Sequence, residues 1–159
     1  MHEKHETSEG KAMANRNFQI DFTDNSAQVL YEFDKACAAG LEEVGIRAEG
    51  YAAENAPVGT TESTNIQNYS GGTLRQSITH KVVDYEVYIG TNLYYAPFVE
   101  HGTGIYADNG QGRKSPWVWR DKNGDYHWTR GIEPQHFLLK AVTEHDNEYL
   151  NVLRDSFKF

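Results

Sequence analysis

"TDNSAQVLYEFDKACAAGLEEVGIRAEGYAAENAP", residues 23–57, decides the architecture. Its spacing predicts one long helix. Leu30, Phe33, Cys37, Leu41, Val44, Ala48, Tyr51 and Asn55 recur at steps of three and four, so they share a face. Asp24 or Asn25 is placed to cap it. Pro57 ends it, because a proline drives the residue before it out of the helical region. Intact, this helix runs about 45–50 Å at 1.5 Å per residue, which is long for a chain of 159 residues. Gly40, Gly45 and Gly50 each cost roughly 1 kcal/mol relative to alanine inside a helix. They predict either a bend or close packing by another backbone.

Upstream, "FQIDF" (18–22) alternates Phe18, Ile20 and Phe22 with polar residues, the period of a half-buried strand. Residues 1–15 are polar without periodicity and read as a flexible tail, with Met13 available as an internal start. Residues 16–159 then form a single unit. Downstream, 58–72 is a polar loop. "GTLRQSI" makes a turn of helix leading into a strand, and "ITHKVVDYEVYIGT" folds into two strands around Asp84-Tyr85. "YYAPFVEHG" is a short helix whose carboxyl end Gly102 closes in the left-handed region, and a glycine-rich loop follows. "PWVWRDKNGDYHWTR" is a hairpin turning at Asn123-Gly124. Pro134 starts a second long helix to the end of the chain, with Phe137, Leu138, Ala141, Val142, His145, Tyr149, Val152 and Leu153 as its apolar stripe. The expected class is α+β: a small antiparallel sheet with two long helices packed on one face and an extended loop and hairpin.

Composition narrows the function classes. Net charge is −8, without the basic footprint of a free-standing nucleic-acid binder. The charge is uneven. Residues 24–56 carry seven acids against two bases, and residues 102–131 carry five bases against three acids, so copies could meet head to tail. No apolar run approaches the ~18 residues of a membrane span, and the polar amino terminus does not read as a signal peptide. A soluble protein that does not use that secretory route is expected. Cys37 is the sole cysteine, which excludes an intrachain disulfide and a cysteine zinc cluster.

The chemical candidates fail one by one. Glu100 and His101 are neighbours, and neighbours on a helix point about 100° apart; a metalloprotease instead needs two histidines four apart with the glutamate between. His2 and His5 in "HEKHE" fall in the polar tail. "GTGIYADNGQG" lacks the lysine and the strand-to-helix setting of a phosphate loop. Cys37 reads as a small core hydrophobe. No Gly-x-Ser-x-Gly elbow is present. No catalytic residue, cofactor or metal ligand is assigned. The aromatic hairpin is the stronger signal. With a two-residue turn, Trp117, Trp119, Tyr126 and Trp128 fall on one face, as a cross-strand core cluster or as a partner surface. The candidate contact residues are Tyr106, Arg113, Lys114, Trp117, Trp119, Trp128 and Arg130.

Four segments carry a resemblance. They are Ala56-Pro57; Thr73, Leu74, Arg75, Ser77 and Ile78; Tyr95, Ala96, Val99, Glu100, Gly102 and Thr103; and Pro134, Phe137, Leu138 and Ala141. In this order, across roughly residues 24–150, the chain resembles the tail-completion, or neck, proteins of long-tailed bacteriophages of the HK-type and lambda-like groups. It departs from that pattern at Gly72 and His136. The resemblance implies a non-enzymatic virion protein. Such a protein assembles in the host cytoplasm as a homo-oligomeric ring at the head–tail junction, touches other neck and tail proteins, and lets DNA pass without sequence-specific binding. A tail terminator or head-closure protein is the alternative, and a small metal-dependent hydrolase using Glu100 and His101 stands further off. Arg75, Tyr95, Glu100, Gly102 and Phe137 take structural roles in this reading. Tyr95, Ala96, Phe98 and Val99 pack, and Glu100 makes a structural hydrogen bond or ion pair with Arg75 as first partner.

Overall fold

The computed structural model describes residues 23–59, 71–121 and 123–158; the expected strand at 18–22, the polar tail with His2 and His5, and residues 60–70 of the polar loop lie outside them. Helix α1 spans Ser26–Asn55. Asn25 holds the capping position without using its side chain, and Asp24 accepts the Ser26 N–H at 2.9 Å. Ala56 is extended, as the following proline demands. The chain continues through α2 (Thr73–Ser77), β1 (Ile78–Val83), β2 (Glu86–Thr91) and α3 (Ala96–His101), then β3 (Trp117–Arg120), β4 (Tyr126–Thr129), α4 (Phe137–Thr143) and α5 (Asp146–Ser156). The class is α+β, but the strands form two separate two-stranded antiparallel sheets, β1-β2 and β3-β4.

α1 is the spine, and its buried line differs from the expected one. Ala36, Gly40, Val44, Ala48, Ala52 and Ala56 are buried at a strict spacing of four. Leu30 and Phe33, expected on the buried face, are 63% and 49% exposed. The small residues win because their four-residue ridge lets other elements approach the helix axis closely. A β-carbon on Gly40 would stand 2.6 Å from Ser156 Oγ of α5, and one on Gly45 would run into the His80 ring of β1. Side chains, not another backbone, fill these two notches. Gly50 faces open space.

The β1-β2 hairpin lies against α1 in the register Ile78↔Thr91 to Val83↔Glu86. Asp84 and Tyr85 turn it with φ of 49° and 64°, the left-handed pair that matches the twist of a two-residue hairpin. The Tyr85 hydroxyl donates to Asp34 of α1 at 2.9 Å. Glu49 takes the His80 N–H at 3.0 Å and lies 2.6 Å from ring Nδ1, while Glu42 lies 3.2 Å from Nε2. Much of the acidic face of α1 is therefore spent within the chain.

The expected second long helix is broken. α4 ends at Thr143 and α5 begins at Asp146. His145-Asp146-Asn147 favours capping over helix interior, and Asp146 accepts the Asn147 N–H at 2.7 Å. The His145 ring lies flat on Tyr51 of α1, centroids 3.4 Å apart. Tyr149 donates back to the Ala141 carbonyl at 2.6 Å. Arg47 and the Tyr51 hydroxyl both reach Glu148, at 2.5 and 2.7 Å, which holds α5 to α1. These two donors, Tyr51 first, keep the Glu148 carboxyl below the usual range. Ala52, Ala56, Leu74, Ile78, Ala96, Phe137 and Ala141 form the core, with Phe137 fully enclosed. Val142, from the expected stripe, is exposed.

Two outcomes follow from these contacts. The same change at two glycines of α1 should act with opposite sign. Gly50→Ala gains helix propensity in open space and should stabilise by about 0.5–1 kcal/mol. Gly45→Ala should destabilise by about 1–3 kcal/mol through overpacking on His80; urea titration reads both. The second concerns pH. The Glu49 bond raises the His80 pKa above its ordinary 6.5, against the opposing effect of burial and with help from Glu42. A raised folded pKa adds stability that is complete below the unfolded value and is lost as pH rises through the folded one. Unfolding measured from about pH 6.5 upward should show that decline in the parent chain and a flatter profile in His80→Gln.

Candidate assembly interface

The corner after β2 is built from two helix ends that lack local caps. α4 starts after Pro134, with His136 at its capping position in the left-handed region (φ 52°) and no side-chain cap of its own. Its first amides need acceptors. Glu100, 38 residues away on α3, supplies them: its two carboxylate oxygens accept the Leu138 and Leu139 N–H groups, each at 3.0 Å. At 7% exposure this carboxylate is buried, and negative charge at a helix amino end is favourable. Backbone bonds from Gln135 to Val99 (2.9 Å) and from His136 to Glu100 (3.2 Å) complete the joint.

Arg75 does not pair with Glu100. Its guanidinium donates to the Glu54 and Ala56 carbonyls at 3.3 and 3.2 Å and so caps the carboxyl end of α1. The two residues expected to meet each close a different helix. Tyr95 is half-buried beside the core, Ala96 is buried and Val99 packs on the core, but Phe98 is 54% exposed. His101 turns away from Glu100: its Nδ1 lies 2.8 Å from Asp108, and the Asp108 N–H returns to the His101 carbonyl at 3.0 Å. His101, through that bond, lowers the Asp108 pKa. Among the described residues, no group of three His, Cys, Asp or Glu side chains is placed to hold a metal ion.

The glycines of "HGTG" serve a backbone crossing. Gly102 has φ 71° with ψ 177°, so it departs from α3 extended instead of closing it in the left-handed helical region. Thr103 N–H donates to the Ile132 carbonyl (2.8 Å) and Ile105 N–H to the Arg130 carbonyl (3.1 Å). At this crossing a β-carbon on Gly104 would overlap the Arg130 carbonyl, and one on Gly131 the Thr103 carbonyl. The loop is thus pinned at its root and again at Asp108.

From this root rises the β3-β4 hairpin. Its register is Trp117↔Thr129, Val118↔Trp128, Trp119↔His127 and Arg120↔Tyr126, one residue off a two-residue turn at Asn123-Gly124. The Asp121 side chain sets the shift. It accepts the Asn123 and Asp125 N–H groups, each at 2.9 Å, and lies 2.9 Å from His127 Nε2. A carboxylate bonding to the backbone two residues on is a turn-forming device in its own right. His127, ahead of those amides, holds the Asp121 carboxyl low. The faces therefore divide differently from the sequence reading. Trp117 and Trp119 share one face with His127 and Thr129, and Trp119 stacks on His127 at 4.7 Å. Trp128 and Tyr126 lie on the other with Val118 and Arg120.

That second face is the more open one: Val118, Tyr126 and Trp128 are 57%, 74% and 62% exposed, against 47% for Trp119 on the first. Arg120 sits over Tyr126 at 5.7 Å and Arg130 over Trp128 at 5.4 Å; Arg113 covers the half-buried Trp117 at 5.5 Å. Lys114 folds back on the Gly110 carbonyl, and Tyr106, in the turn after the corner, is exposed. None of Arg113, Lys114, Arg120 or Arg130 has an acidic partner among the described residues. Val118 and Arg120, which share this face with Tyr126 and Trp128, were not among the candidates of the sequence reading. Asp121 was the signal that could have recovered the register.

The family model described as "Bacteriophage HK97-gp10, putative tail-component" matches residues 21–102, just over half of the chain. The match runs from α1 to the corner, and the hairpin and closing helices lie beyond it. No curated protein and no solved structure matches the chain.

Separate caps give separable energetics. Glu100→Ala should destabilise by about 1–3 kcal/mol by stranding two helix-end amides. Arg75→Ala should cost about 0.5–1.5 kcal/mol, and the double variant should equal the sum within about 0.5 kcal/mol. Chemical denaturation of the four chains reads the coupling, and a large coupling would put the two residues back into one pair.

Proposed function

The chain belongs to the HK97 gp10-like family of bacteriophage tail components, and from that premise we propose that it is a non-enzymatic ring subunit where head and tail join. A tail component resides in the virion and works in contact with other tail proteins. The observation that carries the finer reading is the hairpin: exposed Tyr126 and Trp128, each beside an arginine that has no acidic partner among the described residues. Tryptophan, tyrosine and arginine are the residues that most often anchor protein interfaces. Such a surface on a pinned root suits docking to other subunits.

The corner supports a structural role over a catalytic one. Catalysis needs a base or nucleophile oriented by a partner beside a reacting position. Here Glu100 is consumed by helix amides and His101 is paired with Asp108 on the surface. The acidic balance also fits a channel that DNA traverses, since tight duplex binding requires many basic contacts to phosphate.

The test is a phage carrying a nonsense codon in this gene, with imaging of parent particles. Filled heads and finished but unattached tails should accumulate in the mutant lysate, and density for the chain in parent virions should form a closed ring at the junction. Tails of uncontrolled length would indicate a terminator instead. Joined, infectious particles without the protein, or a location at the distal tail tip, would overturn the reading.

A further inference from the structure

We propose that the open face of the β3-β4 hairpin of one copy seats on the amino-terminal third of α1 of the next copy. The inference rests on the ring reading and names the contact that would build it. Three observations carry it.

The first is an apolar tip that the described residues leave largely open, with the Phe157 ring stacked on Phe33 at 5.2 Å between centroids. Val29, Leu30 and Phe33 are 65%, 63% and 49% exposed near the start of α1. Val29 and Phe33, with Asn25, Gln28 and Glu32, line an open groove of about 420 Å³. Residues spaced by three and four on a helix make one continuous strip, wide enough for an aromatic side chain.

The second is charge. Residues 113–130 carry five bases against two acids, giving +3; residues 24–36 carry Asp24, Glu32 and Asp34 against Lys35, giving −2. The cations of the hairpin lack acidic partners within the described chain, and Glu32 is held only by Lys35 at 3.7 Å. An uncompensated basic face and a mildly acidic apolar tip are complementary, which favours encounter and fixes orientation.

The third is position. The hairpin root lies by the carboxyl end of α1, where Ile132 shares a groove with Pro57 and Val58. The apolar tip is some 25 residues back along the helix, about 35–40 Å at 1.5 Å per residue. Two complementary surfaces at opposite ends of one subunit form a heterologous contact. Repeated from copy to copy, such a contact closes into a ring or runs on as a filament. The aromatic side chains of the open face offer only part of the roughly 800 Å² per partner of a stable interface. Each contact is therefore weak alone, and the closed ring holds by summing them.

The test is disulfide trapping in particles and in the concentrated purified chain. Cys37→Ser removes the native thiol, and Val29→Cys and Trp128→Cys place one thiol on each surface. Under mild oxidation the double-cysteine chain should give a ladder at multiples of 18.1 kDa, while either single-cysteine chain stops at a dimer. Arg120→Glu with Arg130→Glu should erase the ladder, and adding Glu32→Arg with Asp24→Arg should restore it. Rings whose chains give no ladder would overturn the contact and leave the ring reading standing. So would a bridge confined to monomer mass, or a ladder indifferent to charge reversal. A single copy per virion, counted in the same particles, would instead remove the ring reading itself.

Discussion

A ridge of small side chains at four-residue spacing along α1 is the constraint on which the rest depends. Ala36, Gly40, Val44, Ala48, Ala52 and Ala56 leave a smooth line down the helix. β1, β2, α2, α4 and α5 all pack against that helix. Small residues contribute little apolar area of their own. They allow larger neighbours such as Phe137, Leu74 and Ile78 to reach the axis and bury theirs. Dense packing then follows from shape, with Ser156 and His80 seated where glycine leaves room.

The same economy governs the helix ends. α1 and α4 each terminate without a side-chain cap from their own flanks. A residue from a distant segment closes each: Arg75 on the last carbonyls of α1, Glu100 on the first amides of α4. Local caps would let each helix form alone. Long-range caps make the helix end and the tertiary joint a single event, so the corner cannot form without its neighbours. In the stretch 94–104 the one carboxylate, Glu100, is spent in this way on the first amides of α4.

The hairpin obeys a different logic. Its root is fixed by backbone bonds at a crossing that tolerates no β-carbon, and its turn by the Asp121 carboxylate. Its open face is left to solvent, with arginine guanidinium groups over aromatic rings. An arginine lying on a ring shields part of the apolar surface in the free subunit while keeping its donors available. A subunit that must stay dissolved before it joins a larger body benefits from that arrangement. The acids of α1 divide in the same way: Glu42, Glu49 and Asp34 hold the β1-β2 hairpin in place, while Asp24 and Glu32 remain at the outer end.

What the sequence determined is what depends on near neighbours along the chain. The extent of α1 between a polar start and Pro57 was legible. So were the turn of helix from Thr73 into β1, the tight turn at Asp84-Tyr85 and the short helix at 96–101, because propensity, proline geometry and turn chemistry act over a few residues. Which face of α1 is buried was not, since periodicity groups residues without saying what arrives against them; Leu30 and Phe33 looked like core and are surface. The break at His145 joins a local capping sequence to a ring stacked on Tyr51, nearly a hundred residues upstream, and the caps of Arg75 and Glu100 follow from helix ends that only the fold brings near. The hairpin register turned on one carboxylate competing with Asn123-Gly124 for the turn, and a shift of one residue moved Trp128 and Tyr126 to the face opposite Trp117 and Trp119. Side chains in a strand alternate faces, so which aromatics stand on the open face was decided by the Asp121 carboxylate bonding within its own turn, a choice between two local turn signals that the three-dimensional geometry resolves.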